Sequence, residues 1–205
     1  MLLNNMVLGT TTWRKRNRNR LERTEEVAKY LGLHNPIIID YGPGGAVDFL
    51  IDWLPEGGEE DWSTWDKLQR GVVKLAESAL RKTNLFSLET SEPEEIAYLL
   101  EDLSPQRIYV VDKERKVIDA VRRMVERNGL PVLIGYHTLD IQNYKFEQQG
   151  DIVVAYNVIE RTGNPAKSLD HIARTTRIGG LFSTTMKTAP DGFQEKGEGL
   201  YQRVH

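Results

Sequence analysis

The sequence predicts an α/β protein with a parallel sheet, and three observations carry that expectation. Short, nearly continuous apolar runs recur at Ile37-Ile38-Ile39, Ile108-Tyr109-Val110-Val111 and Ile152-Val153-Val154-Ala155. Strands buried on both faces of a parallel sheet read this way. Amphipathic segments of helical period lie between the runs, the alternation that builds such a sheet. The first run ends in Asp40 and breaks at once into Tyr41-Gly42-Pro43-Gly44-Gly45, where missing Cβ atoms let the backbone approach a ligand.

Taken in order, Thr24 is expected to cap a helix, with Glu25 and Glu26 in its positively polarised first turn. Val27, Tyr30 and Leu31 then share a face, and Gly32 ends the helix. A strand follows at 36–40, then a short helix from Ala46 to Leu54, stopped by Pro55 and Gly57-Gly58. Residues 55–62 read as an acidic loop. Residues 62–82 read as a helix carrying Trp65, Leu68, Val72, Leu75, Ala76 and Ala79. Ser91-Glu92-Pro93-Glu94 is a capping-box start, and Ile96, Leu99, Leu100 and Leu103 form the stripe behind it.

Arg107 to Asp112 is the next strand, again ending in an acid. A helix is expected over 113–128, stopped by Asn128-Gly129, and a strand over 131–136. Gly150 to Tyr156 is a further strand. A helix over 165–177 ends at Gly179-Gly180, and Leu181 to Thr185 is the strand after it. In open sheets of this kind ligands bind beyond the C-terminal strand ends, near the switch in strand order. Asp40 and Asp112 stand at such ends.

Size and composition fit this outline. The chain has 205 residues, enough for one sizeable core, and 40% apolar with 28% charged residues is ordinary for a soluble globular domain. No apolar run approaches the roughly 20 residues of a membrane helix, and the basic N-terminus has no apolar stretch behind it as a secretory signal would. A cytoplasmic location and no membrane partner are the expectation. There is no cysteine, which excludes disulfides, thiolate metal sites and cysteine nucleophiles. The four histidines show no ligand spacing, and no metal is expected. His171 falls in a helix with no partner in sight. His137 reads as a structural histidine.

Three features fall in an order that carries chemistry: the loop from Gly42 to Gly45, Asp112 at a strand end, and Leu139-Asp140-Ile141 after the next strand. A carboxylate at Asp112 can accept hydrogen bonds from ribose hydroxyls. An acid between apolar residues suits an exocyclic amine on a ring held by aliphatic side chains. Over residues 36–185 this order resembles the class I, Rossmann-like family of S-adenosylmethionine (SAM) dependent methyltransferases. Asp151 to Glu160 is similar to the family's fourth-strand segment, and Ile172 to Leu181 to its approach to strand five.

The resemblance implies a three-layer α/β/α sheet with SAM as cofactor. Gly42 and Gly44 would line the methionine part, with Tyr41 beside them. Asp40 would support the glycine loop or the cofactor's amino group. Asp112, with Lys113 next to it, would bind the ribose, and Leu139 and Asp140 the adenine. Asn157 would lie near the sulfonium and the acceptor, as the candidate acceptor-side group. A nicotinamide-type G-x-G-x-x-G fingerprint would need glycine where Val47 stands.

Two departures from the family stand out. Asp40 and Asp112 are 72 residues apart, more than one helix and its turns require. The chain is therefore expected to divide into a basic segment and helix over 1–35 and a SAM-binding domain over 36–205. That domain would carry a helical insertion at about 55–90, either a lid over the acceptor or an added packing layer. After strand five only about 20 residues remain, with 199–204 as one strand, so the sheet edge is expected to be incomplete or completed by a second copy.

The acceptor is read from charge. Residues 1–35 hold seven Lys/Arg against three Asp/Glu, about +4, which leaves about −7 of the total −3 for the rest. An acidic body argues against a protein that coats nucleic acid. A small-molecule acceptor is the first reading. RNA bound through Arg14, Lys15, Arg16, Arg18 and Arg20 is the alternative, although Trp13 is the only aromatic nearby. A non-catalytic SAM-binding or interaction module on the same fold is the third.

Overall fold

The computed structural model describes residues 18–43, 96, 101–128, 133–143 and 145–205. Seven strands form one sheet: β1 (Ile37–Tyr41), β2 (Arg107–Asp112), β3 (Leu133–Thr138), β4 (Gly150–Ala155), β5 (Thr176–Thr184), β6 (Phe193–Gly197) and β7 (Leu200–Arg203). Their order is β3-β2-β1-β4-β5-β7-β6. The first five are mutually parallel and β7 runs antiparallel between β5 and β6. The order reverses between β1 and β4, which are neighbours, so the ligand-binding crevice of such a sheet falls at their C-terminal ends.

Three helices flank the sheet among the described residues: α1 over 18–30, α2 (Arg115–Asn128) and α3 (Pro165–Thr175). Each sheet face buries its own core. On one face Ile38, Ile108, Val110, Ile152 and Val154 pack with Leu21 and Ala28 of α1, Ile96, and Ile118, Val121 and Val125 of α2. The α2 residues recur at helical spacing, which is why that segment is a helix with a single buried stripe. On the other face Ile39, Tyr41, Val153, Ala155 and Phe182 pack with Ile172 of α3 and Phe146.

Several local expectations need correction. Thr24 is not a cap: it is buried inside α1, its hydroxyl donating to the Arg20 carbonyl at 2.7 Å and lying 3.1 Å from Ser183 Oγ, with which it shares a hydrogen bond. Tyr30 is exposed, and α1 turns Leu21, Thr24 and Ala28 inward. Gly32 does end the helix, at φ +71°, with the Leu33 N–H returning to the Ala28 carbonyl. The helix expected over 165–177 stops at Thr175, and β5 begins at Thr176, five residues before the expected strand. Two adjacent β-branched threonines favour the extended chain there.

The C-terminal edge also differs. Phe193–Gly197 and Leu200–Arg203 form a hairpin closed by Glu198-Gly199, with Gly199 at φ +67°. The sheet is thus completed within the chain. β6 presents Gln194, Glu195 and Lys196, polar residues that blunt an edge strand. The helix expected over 46–54, the helix over 62–82, the capping box at 91–94, Gly44, Leu99 and Leu100 lie outside the described residues.

Candidate functional site

The site grows from the ends of β1, β2 and β4. Asp40 pairs in register with Val110 of β2 on one side and Val154 of β4 on the other. Two residues on from Val110, Asp112 points to the same face of the sheet. Asp40 is 1% exposed, and neither carboxylate oxygen has a hydrogen-bond partner among the described residues. Burial, and then the neighbouring Asp112 charge, push its pKa well above the usual carboxylate range. A neutral carboxyl, or one that meets a cationic donor, is what such a place favours.

Gly42 follows directly. Its φ is +65° and its N–H donates to the Val111 carbonyl at 2.8 Å, tying the loop to β2. A Cβ on Gly42 would fall inside van der Waals contact with Val158 Cγ2. Only glycine satisfies both the backbone and the neighbour.

The remaining candidates occupy the same C-terminal edge. Asp112 Oδ1 accepts the Glu114 N–H at 2.6 Å, so this carboxylate also caps the turn into α2. Lys113 is exposed. Leu139 sits against the second core, its N–H bonded to the Asp112 carbonyl at 2.8 Å. Asp140 accepts the Gln142 N–H at 2.9 Å and opens the 3-10 turn Ile141–Asn143. Asn157, just past β4, holds φ +53° and donates its N–H to Thr185 Oγ1 at 2.8 Å. Thr185 in turn donates to Glu160 Oε1 at 2.9 Å.

Tyr41 alternates with Asp40 and turns its ring to the opposite core. Its hydroxyl lies 3.2 Å from His171 Nε2 and 3.2 Å from Thr175 Oγ1, and burial raises its pKa. Only the Tyr41 backbone is placed at the crevice. His171 therefore has a buried partner, against expectation, on a strand 130 residues away in sequence. His137 packs edge-on to Phe146 at 5.0 Å and near Tyr109 at 5.5 Å, and burial lowers its pKa.

Of the basic arm, Arg14, Lys15 and Arg16 lie outside the described residues. Arg18 is exposed and paired with Glu22 at 3.0 Å, one helical turn on, and the Arg20 guanidinium lies 5.9 Å from the centre of the Tyr156 ring. Among the described residues no group of three metal-ligating side chains comes together, and no helix is long and apolar enough to cross a membrane. Val158, Thr185 and Glu160 escaped the sequence reading. Their roles come from contacts with Gly42 and Asn157 that have no spacing signature.

Residues 93–184 match the family model of a methyltransferase domain. Comparison with curated proteins finds no match. Among solved structures, the chain is similar to the N-methyltransferase NodS from Bradyrhizobium japonicum WM9, solved with S-adenosyl-L-homocysteine. Identity is 12% and the TM-score 0.49, over 83% of this chain and 60% of that one. It is also similar to coclaurine N-methyltransferase bound to N-methylheliamine and the same product, at 11% identity and TM-score 0.44, over 80% of this chain and 35% of that one. The chain thus spans less than two thirds of these proteins' length. Residues 93–184 thus match a methyltransferase domain, on a doubly wound sheet whose strand-end acids Asp40 and Asp112 lie at its switch point.

Proposed function

We propose that this protein transfers a methyl group from SAM to a small-molecule acceptor. The observation that carries the reading is Asp40: a fully buried carboxyl with no hydrogen-bond partner among the described residues, on one face with Asp112 at the switch point. Such a group calls for a donor, and the cofactor's amino group is one. The residues present fit SAM. Gly42 and the Tyr41 backbone would border its methionine part. Asp112 would hold the ribose hydroxyls, with Lys113 at the rim, and Leu139 and Asp140 would hold the adenine. Bound there, SAM supplies an electrophilic methyl on a sulfonium.

The chain's own contribution is alignment and exclusion of water, which suffice for an acceptor that is already nucleophilic. Asn157, held in its turn by Thr185, is the group we place at the acceptor side. The small-molecule reading is supported by the acidic balance outside residues 1–35. The cations of α1 are partly engaged, Arg18 by Glu22 and Arg20 by the Tyr156 ring, which weakens the RNA alternative. A cytoplasmic setting and the division at residue 35 complete the proposal.

The test is calorimetric titration with S-adenosylhomocysteine (SAH). Micromolar binding by the wild type supports the reading, and no binding by folded protein overturns it. Salt-sensitive retention on RNA, lost on neutralising residues 14–20, would overturn the choice of acceptor.

A further inference from the structure

The turn after β4 is fastened on two sides. On one, Val158 fills the space that a side chain at Gly42 would need. On the other, the Asn157 N–H donates to Thr185 Oγ1, and the Thr185 hydroxyl donates onward to Glu160 Oε1. Between these fastenings Asn157 sits at φ +53°, a conformation few residues other than glycine adopt. Thr185 is well placed for this. Thr184 ends β5 in register with Ala155, the last residue of β4, so the next residue of each strand reaches the same edge of the sheet.

We infer that Thr185, backed by Glu160, is a positioning residue for the cofactor site. Its hydroxyl fixes the left-handed Asn157 and so seats Val158 against Gly42. The inference rests on the SAM-binding reading above. One group must accept from an N–H and donate to a carboxylate at the same time, and a hydroxyl does both. Valine has the same shape and does neither. Serine keeps the hydroxyl. Glu160 is exposed, so replacing it disturbs little packing. Glutamine there still offers an acceptor oxygen, whereas alanine offers none.

The experiment is SAH titration of the full chain as wild type, T185V, T185S, E160Q and E160A, each checked for cooperative thermal unfolding. T185V is expected to weaken SAH binding about fivefold, the scale of one net hydrogen bond, with T185S restoring it. E160A weakens binding and E160Q does not. A merely structural threonine would lower the melting temperature and leave the SAH affinity of the folded protein unchanged. Wild-type affinity in T185V, or equal loss in T185S, overturns the inference alone. If T185V does not fold, the Glu160 pair decides: equal affinity in E160A and E160Q overturns it. No binding by folded wild type overturns the cofactor reading itself and this inference with it.

Discussion

Replacing Gly42 by alanine perturbs two things that the structure lets us separate. The backbone is at φ +65°, where a Cβ costs about 1–2 kcal/mol. The added methyl also meets Val158 Cγ2, and overpacking of this kind costs about 1–3 kcal/mol. Together the loss is about 2–5 kcal/mol, a large share of the roughly 5–15 kcal/mol that holds a domain folded. Val158→Ala removes both γ-carbons and leaves Val158 Cβ 3.5 Å from the new methyl, an ordinary contact. In that background Gly42→Ala should cost only the backbone part. Urea unfolding of the wild type, both single variants and the double variant gives the coupling directly. We expect it to be about 1–3 kcal/mol, the overpacking part alone. Equal cost of Gly42→Ala in both backgrounds would refute the interlock. A cost below about 0.5 kcal/mol, the size of an ordinary surface substitution, would refute the conformational argument as well.

Three more outcomes follow from the same geometry. Asp112→Ala should weaken SAH binding at least tenfold (about 1.4 kcal/mol) and lose about 1 kcal/mol of stability with its cap. Asp112→Asn should keep the cap to Glu114 but still weaken binding, as paired titration and thermal unfolding would report. Asp40 has a raised pKa in the folded state through burial and Asp112, so the folded protein holds its proton after the unfolded chain has released it. Stability should fall as pH rises from the unfolded value of about 3.9 toward the folded one. Asp40→Asn should flatten that fall in urea midpoints, and an unchanged slope would contradict it. His171 has its pKa lowered by burial and by Arg174, with Asp170 opposing. Here the unfolded chain takes the proton first, so stability should drop as pH falls below the ordinary value of 6.5. His171→Gln should reduce the drop.

How much of this was legible in the sequence differs by element. β2 matched its expected limits because a continuous apolar run with an acid at its end has one reading. β6 escaped because Phe193-Gln194-Glu195-Lys196-Gly197 is short and charged, as an edge strand must be, and so carries no apolar pattern. Thr24 was misread because a hydroxyl suits a cap. What it serves instead is a buried bond to Ser183, 159 residues away. The positions of Asp40, Gly42 and Asp112 at the C-terminal ends of β1 and β2 were legible because each follows an apolar run. The inward turn of Tyr41, its bond to His171, and the Thr185–Asn157 contact were not, since they depend on which strands become neighbours.

The most direct measurement is a crystal structure of the chain with SAH. We expect the ribose hydroxyls on the Asp112 carboxylate, the amino-acid part against Gly42, and Asp40 within reach of the ligand's amino group. A ligand bound elsewhere, with Asp40 and Asp112 untouched, would contradict this.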